Sequence, residues 1–346
     1  MAGPTEKSGN SQATAHAIYV MGFVGLALLF IAYAGQVLLL AFAGVLVGVV
    51  LGKSADTLSE LSALPRSLTL VVIVATITGL VFAGSLLLAP QVIEQSRELA
   101  SEIPKLWRDA TSRLGEWLNR DWFDEVTEKV QDPSAGTTSD ALKGFLGILA
   151  SGLGVVGSIL VVIITGLYLA ATPKLYRDGA LRLVPKAQRK RASGVADEMS
   201  EALLWWMVGK LISMVVVGLL TFAGLWLLGV PLALSLSILA ALLTFIPNFG
   251  PILAAVPAVL LGFGEGSSTG LYVVGLYVAI QTVESYAITP LIQQRAVSLP
   301  PALTITAQLI MGVLAGGLGL ALATPLAAAT LVLVSELYVK DQLERD

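Results

Sequence analysis

The 346-residue chain contains no cysteine and a single histidine, His16. Without cysteine there are no disulfide bonds, no thiol catalysis and no cysteine-ligated metals. The sequence also lacks a phosphate-binding glycine loop followed by Lys and Ser/Thr, a plausible Ser–His pair and a metal-binding cluster, so it predicts neither an enzyme nor a cofactor. It has no basic patch with interleaved aromatic residues, which argues against nucleic-acid binding.

Charge is scarce as well. Charged residues occupy 13% of positions, about half the share of roughly 25% in soluble proteins. Hydrophobic residues make up 55% of the chain, and the mean hydropathy is +0.82. Apolar runs at 17–34, 36–52, 67–90, 144–172 and 203–229 approach or exceed the ~20 residues that cross a ~30 Å hydrocarbon core. They predict an all-α polytopic integral membrane protein.

The order of apolar and polar segments predicts how the chain is organised. About six spanning helices are expected, with Gly35 and Gln36 joining the first two runs in a tight hairpin or a pair of short helices. Pro104 is expected to break the helices of a polar insert. The predicted parts are a disordered tail at 1–15, transmembrane helices at 16–90, an extracytoplasmic helical insert at 91–140, transmembrane helices at 141–229 with a basic loop at 173–202, a transport core at 230–340 and a tail at 341–346.

Charge also predicts which end of the molecule faces the cytoplasm. Segment 173–202 carries seven Lys and Arg residues against four acids, and positive charge in short loops marks the cytoplasmic side. The basic loop and both termini are therefore expected in the cytoplasm, with the insert at 91–140 outside a cell membrane.

Two late apolar segments have the wrong length for a simple span. Residues 231–263 would form a helix of about 50 Å, yet a cut at 247–250 leaves two pieces too short to cross. Residues 302–338 repeat the problem, with a natural break near Gly316. Such segments indicate re-entrant hairpins or kinked spans, and broken helices of this kind are typical of transporter sites. Hairpins are favoured here, although eight spans would give the same sidedness.

A few polar residues lie inside these apolar segments. Glu284 is the first functional candidate, because a carboxylate at membrane depth is costly, although it could also reach the headgroups or pair with Arg295. Asn248 either contacts the solute or hydrogen-bonds to the backbone of its own turn. Lys210 either has a function in transport or extends its ammonium to the membrane surface. The predicted substrate or ion pathway comprises Lys210, Asn248, Gln281, Glu284, Thr304 and Gln308, and the predicted bends are Pro247, Gly250, Pro251, Pro257, Pro290, Gly312, Gly316, Gly317 and Pro325.

Three stretches resemble the autoinducer-2 exporter family of permeases in order and spacing. They are TFIPNFGPILAAVPAVLLGF at 244–263, QTVESYAITPLI at 281–292 and VSLPPALTITAQLIMGVLAGGLGLALATPLAA at 297–328. Pro300 departs from the pattern, where a histidine is expected. The family's motif positions carry over to Pro247, Asn248, Gly250, Pro251, Gln281, Glu284, Pro290, Gly312, Gly316 and Pro325.

The resemblance implies a membrane transporter, with autoinducer-2 export as the activity that names the family and sodium or lithium/proton antiport associated with some members. We therefore expect a secondary transporter, not driven by ATP, that exports a small polar solute such as an autoinducer-2-like molecule. A sodium (lithium)/proton antiporter is the alternative, and a passive channel or membrane scaffold is a further one. The expected partners are the lipid bilayer, a small-molecule or ion substrate and further copies of the chain in a homo-oligomer.

Overall fold

The computed structural model describes residues 7–117, 152–290 and 299–338, and the regular structure within these ranges is helical. Its helices are α1 (Lys7–Ser62), α2 (Arg66–Trp117), α3 (Gly152–Ala171), α4 (Pro173–Arg182), the 3-10 turn Lys186–Gln188, α5 (Arg189–Leu227), α6 (Ala233–Leu243), α7 (Phe249–Glu265), α8 (Ser267–Val283) with the π-helical turn Glu284–Ile288, and α9 (Pro301–Val334). Five helices in the described ranges are long and apolar enough to cross a membrane, or six if the pair α3 and α4, bent by 87°, forms one span. The predicted all-α polytopic class is confirmed.

The N-terminal helix is longer than expected. α1 runs unbroken from Lys7 to Ser62, so the predicted junction at Gly35 is wrong, and the predicted tail is helical from Lys7 onward. One glycine in a helix costs about 1 kcal/mol, whereas a break in hydrocarbon leaves backbone groups unpaired at several kcal/mol each. Extending an existing helix also avoids the cost of a new nucleus. Residues 1–6 lie outside the described residues.

The second helix also ignores two expected boundaries. α2 continues through Pro90 and Pro104 to Trp117, so Pro104 does not break the helix of the insert. A proline fixes φ at a helical value and removes one backbone donor, and this loss is tolerated where neighbouring groups satisfy the freed carbonyl. The rest of the predicted insert, 118–140, lies outside the described residues.

Contacts between distant segments define the two ends of the bundle. At one end, Arg66 Nη1 donates to the Ala171 carbonyl at 3.4 Å, and Arg191 Nη2 lies 2.8 Å from Glu336 Oε2. We call this end, which also carries segment 173–202, the basic end. At the other end, the Ser235 backbone N–H donates to Gln95 Oε1 at 3.1 Å, and we call it the insert end because α2 enters the insert there.

The first late segment folds back on itself as α6 and α7, which we call the first hairpin. α6 has 11 residues and α7 has 17, and both are shorter than the ~20 residues of a full span. Leu232 and Leu236 before and in α6 share a buried cluster with Leu261 in α7 and with Leu99 of α2. The open ends of both arms therefore lie at the insert end, and residues 244–248 form the tip.

The second late segment, α9, is a hairpin as well, which we call the second hairpin. Its backbone leaves helical geometry at Ala315 (φ −137°, ψ 16°) and Gly316 (φ 62°, ψ −145°). A Cβ on Gly319 would overlap the Met311 carbonyl oxygen, although eight residues of continuous helix would separate these positions by about 12 Å. The salt bridge of Glu336 with Arg191 places the end of the second arm at the basic end.

A scaffold from the N-terminal half supports the second hairpin. α1 and α3 approach closely through small residues, since a Cβ on Gly44 would lie 2.7 Å from the Thr165 side chain, and small residues allow such approach in lipid. Leu46 of α1 packs in one buried cluster with Leu203 of α5 and Leu322 of the second hairpin. The site described below lies between these elements and the first hairpin.

We expect Gly250→Ala to destabilise the protein, because the added methyl group would overlap the Leu243 carbonyl oxygen across the first hairpin. Overpacking of this kind costs about 1–3 kcal/mol. Thermal unfolding in detergent measures the loss. Gly275→Ala is the matched control, since a Cβ there meets nothing within 4 Å. Equal melting temperatures for the two variants would show that the arms do not approach this closely.

Candidate functional site

The tip of the first hairpin is an irregular turn between α6 and α7. Asn248 adopts φ 66° and ψ −52°, and asparagine tolerates positive φ better than most residues. The Phe249 N–H donates to the Pro247 carbonyl at 2.8 Å, and the Gly250 N–H donates to the Ile246 carbonyl at 3.0 Å. The sequence TFIPN at 244–248 therefore separates the end of α6 from the start of α7.

Gln308 of the second hairpin holds this turn from outside. Its Nε2 donates to the Pro247 carbonyl at 2.8 Å, and its Oε1 accepts from Asn248 Nδ2 at 3.2 Å. The Gln308 side chain is fully buried, so both ends of its amide are committed to the turn. The Asn248 side chain makes no cap bond to its own helix; it serves the joint between the two hairpins.

The two hairpins overlap instead of meeting tip to tip. Gln308 precedes the bend at Gly316 by eight residues, or about 12 Å of helix. The tip of the first hairpin thus contacts the side of the second hairpin, whose own tip reaches further toward the insert end.

Lys210 and Glu284 form an ion pair inside the bundle. Lys210 Nζ lies 3.4 Å from Glu284 Oε1, and the side chains are 11% and 8% exposed. Lys210 sits near the middle of α5, and its ammonium points to the carboxylate instead of snorkelling. Arg295, the partner considered for Glu284 from the sequence, lies outside the described residues.

Glu284 starts a π-helical turn, Glu284–Ile288, directly after α8. The Thr289 hydroxyl donates to the Glu284 carbonyl at 2.8 Å across this turn. Single π turns inside helices occur frequently at functional sites. The Glu284 side chain leaves the helix toward α5, where Lys210 lies.

A small cavity lies between α5, the first hairpin and α8, beside this ion pair. Its polar lining comes from Thr244, Tyr277, Gln281 and Glu284, with Pro251 and apolar side chains around them. The cavity has an accessible volume of about 10 Å³, roughly what one water molecule needs. Tyr277 Oη is buried and has no hydrogen-bond partner among the residues that the structure describes.

The other predicted pathway residues, Gln281 and Thr304, make hydrogen bonds within their own helices. Gln281 lines the cavity, and its Nε2 donates to Ser285 Oγ at 3.2 Å. Thr304 is buried, and its hydroxyl donates to the Pro300 carbonyl in its own helix at 3.3 Å. Gln281 and Glu284 are thus together at the cavity, with Lys210 paired to Glu284, and Asn248 and Gln308 are together at the tip.

The predicted bends divide into two groups. Pro247, Gly250 and Pro251 surround the first tip, and Gly316 and Gly317 form the second. Pro257 and Pro325 lie inside helices that continue through them, and Gly312 lies within the first arm of α9. Membrane helices tolerate such prolines when neighbouring groups satisfy the freed carbonyls. Pro290 is the last described residue before the gap at 291–298.

Sequence reasoning missed two groups at the site. They are Tyr277 and Thr244, both of which line the cavity. Thr244 immediately precedes the FIPN turn, and Tyr277 lies one turn before Gln281, so adjacency to the predicted residues was the available signal.

Comparison with known proteins agrees with the resemblance of the motifs. The profile described as "AI-2E family transporter" matches residues 17–338. "Putative transport protein YueF" of Bacillus subtilis (strain 168) is 26% identical over 278 residues, which cover 77% of this chain and 75% of that protein. "Putative transport protein YrrI" of the same organism is 27% identical over 280 residues, or 78% of each chain. "Putative transport protein MT0215" of Mycobacterium tuberculosis (strain CDC 1551 / Oshkosh) is 40% identical over 107 residues, which cover 31% of this chain and 29% of that protein.

The profile match extends over both hairpins, the ion pair and the N-terminal scaffold. Together with the long apolar helices, it shows that this chain belongs to the AI-2E family of transporters and is a multi-pass membrane transport protein.

Proposed function

We propose that this protein is a secondary transporter that exports a small polar solute past its two hairpins, with Glu284 as the group that couples transport to an ion. The observation that carries the proposal is the joint at Gln308, where a buried amide of one hairpin holds the broken backbone of the other. Broken helices at membrane depth are the usual source of substrate contacts in secondary transporters.

The joint supports transport because it makes irregular backbone tolerable inside the membrane. Non-helical backbone at this depth needs protein or a water-filled cavity to satisfy its polar groups. Here Gln308 satisfies the Pro247 carbonyl, while Asn248 stays exposed at the tip. An exposed amide next to a buried joint offers a polar contact to a solute without requiring the turn to unravel.

The proposed substrate rests on the family resemblance and not on the geometry. The names of the relatives state transport alone, whereas the family description points to autoinducer-2 export. An autoinducer-2-like molecule fits a site whose tip offers amides instead of charges. The sequence contains no nucleotide-binding loop, which supports coupling to an ion gradient instead of ATP.

Sodium (lithium)/proton antiport is the second candidate, and the ion pair favours it. An antiporter needs an acid within the membrane that can exchange cations, and Glu284 is buried at such a depth beside Lys210. A passive channel or scaffold would need no such group.

We also propose an orientation in the cell membrane. The basic end faces the cytoplasm according to the positive-inside rule, which places the Arg191–Glu336 bridge and the C-terminal end of α9 on that side. We further propose that the continuous α1 crosses the membrane once instead of the expected two times, with residues near Lys7 on the face opposite to the cytoplasmic one expected from the sequence. Assembly into a homo-oligomer stays a prediction.

In proteoliposomes we expect Glu284→Gln to lower the rate of coupled transport by at least about tenfold, because the amide keeps the shape but cannot exchange a charge. Uptake of an autoinducer-2-like sugar and sodium-driven proton movement are measured in parallel. Glu265→Gln, an exposed acid at the end of α7, is the control. Unchanged transport in Glu284→Gln would remove the coupling role, and transport of neither solute by the unmodified protein would favour a channel or scaffold.

We expect Gln308→Leu to impair both stability and transport. The change removes the hydrogen bonds to the half-buried Pro247 carbonyl and to the exposed Asn248 amide, and each such bond contributes about 0.5–1.5 kcal/mol. Thermal unfolding and transport rates are compared with Gln91→Leu, a change at an exposed position of α2. Wild-type behaviour of Gln308→Leu would show that the joint is dispensable.

Because the chain is free of cysteine, single cysteines can test the overlap of the hairpins. A membrane-impermeant maleimide should label Asn248→Cys from the basic side and Gly317→Cys from the insert side, since the second tip reaches beyond the first. Ala187→Cys and Ser267→Cys mark the two sides. Labelling of both tips from one side would mean that the segments are not opposed hairpins.

A further inference from the structure

The cavity beside Glu284 has polar groups that the solute pathway does not use. Tyr277 Oη is buried there without a partner among the described residues, and an unpaired buried hydroxyl costs free energy. Glu284 also keeps spare capacity, because the contact recorded for its side chain within the described ranges is the one from Lys210 to Oε1. The second carboxylate oxygen and the phenol hydroxyl therefore keep binding capacity that no described residue uses.

The remaining polar groups of the lining present oxygen atoms. Gln281 uses its Nε2 to donate to Ser285, which leaves its amide oxygen free to accept. The Thr244 hydroxyl donates to the Ala240 carbonyl at 2.7 Å, so its oxygen retains lone pairs. Carboxylate, amide, hydroxyl and phenol oxygens are hard donors, and hard cations prefer such donors.

Size and charge select the class of cation. The room for about one water molecule excludes a sugar-sized solute. One carboxylate balances one positive charge, and no group of three or more His, Cys, Asp or Glu side chains that could hold a metal ion occurs in the described ranges. A small monovalent cation fits both limits.

The Lys210 ammonium already balances the charge of the Glu284 carboxylate, but its contact with that carboxylate is long. Its 3.4 Å contact with Oε1 is longer than the roughly 2.7–2.9 Å of a strong charge-assisted bond. An ammonium on a flexible stem can withdraw, and its charge would then be replaced at the carboxylate by an ion from the cavity.

We propose that the cavity formed by Glu284, Tyr277, Gln281 and Thr244 is a binding site for one small monovalent cation, which competes with the Lys210 ammonium for the Glu284 carboxylate. Lys210 is then a built-in counter-ion that keeps the carboxylate neutralised when no cation is bound. The proposal rests on the proposed function and deepens it, since it names the residues that bind the coupling ion and the side chain that competes with it. Cation binding itself does not require that the solute pathway be correct.

The test measures binding in detergent at a fixed pH of about 8, without transport, so that its failure is distinct from failure of the proposed function. Sodium, lithium or potassium chloride is titrated against choline chloride at constant ionic strength, and the melting temperature is followed, because a ligand of the folded state raises it. In Lys210→Met the competitor is gone. We expect the half-maximal cation concentration to fall at least about tenfold, the ratio that corresponds to about 1.4 kcal/mol.

Two further variants define the outcome. The double variant Lys210→Met/Glu284→Gln should lose the cation dependence, and Lys190→Met, an exposed lysine in α5, should behave as the unmodified protein does. If Lys210→Met does not fold, Tyr277→Phe in the otherwise unmodified chain serves instead, and it should weaken cation stabilisation. A melting temperature of Lys210→Met that responds equally to choline and the alkali cations would overturn the proposal, as would full cation stabilisation in the double variant or in Tyr277→Phe.

Discussion

Inside a bilayer a backbone carbonyl or N–H without a protein partner has no water to replace it, and the first hairpin breaks its helix where that constraint is strongest. The amide of Gln308 meets the constraint, since it donates to the Pro247 carbonyl and accepts from Asn248. Other features of the site depend on this joint. The turn can stay irregular because it is held, and α6 can therefore end after 11 residues, short of a full span.

The two hairpins solve the same problem with matching parts. Each tip has one residue with positive φ, each has a glycine pressed against a carbonyl oxygen of the opposite arm, and each has a proline nine residues after the positive-φ residue. These residues are Asn248, Gly250 and Pro257 in the first hairpin, and Gly316, Gly319 and Pro325 in the second. The hairpins enter from opposite ends, as repeats with inverted topology do in many transporters. They differ at the tip, because one carries an amide and the other only a glycine, so polar contact is concentrated at the first.

The sequence was sufficient to predict the membrane class and the two broken segments, because the thickness of the hydrocarbon core is fixed and apolar segments of 33 and 37 residues cannot match it. It was insufficient at Gly35 and Pro104, because a single glycine or proline disfavours a helix by less than the backbone bonds that a break would forfeit. The residues of the site were found because polar side chains are rare in apolar segments. Their pairing was not, since Lys210 and Glu284 are 74 positions apart and Asn248 and Gln308 are 60 apart. Such partners follow from packing, which a single sequence does not display.

The ion pair and the joint have opposite properties. The joint is neutral, and both ends of its buried Gln308 amide are hydrogen-bonded, so it stabilises one arrangement of the hairpins. The ion pair is long, is bonded through one carboxylate oxygen, and lies next to an unpaired phenol. A buried ion pair stabilises a folded protein little more than apolar side chains of similar volume do, and removing one partner is costly. A pair with a long contact therefore contributes little to stability. The pair lies between α5 and the π-helical turn, where the Glu284 carboxylate can exchange the Lys210 ammonium for a bound cation. During this exchange the joint at Gln308 keeps the first hairpin in register with the second.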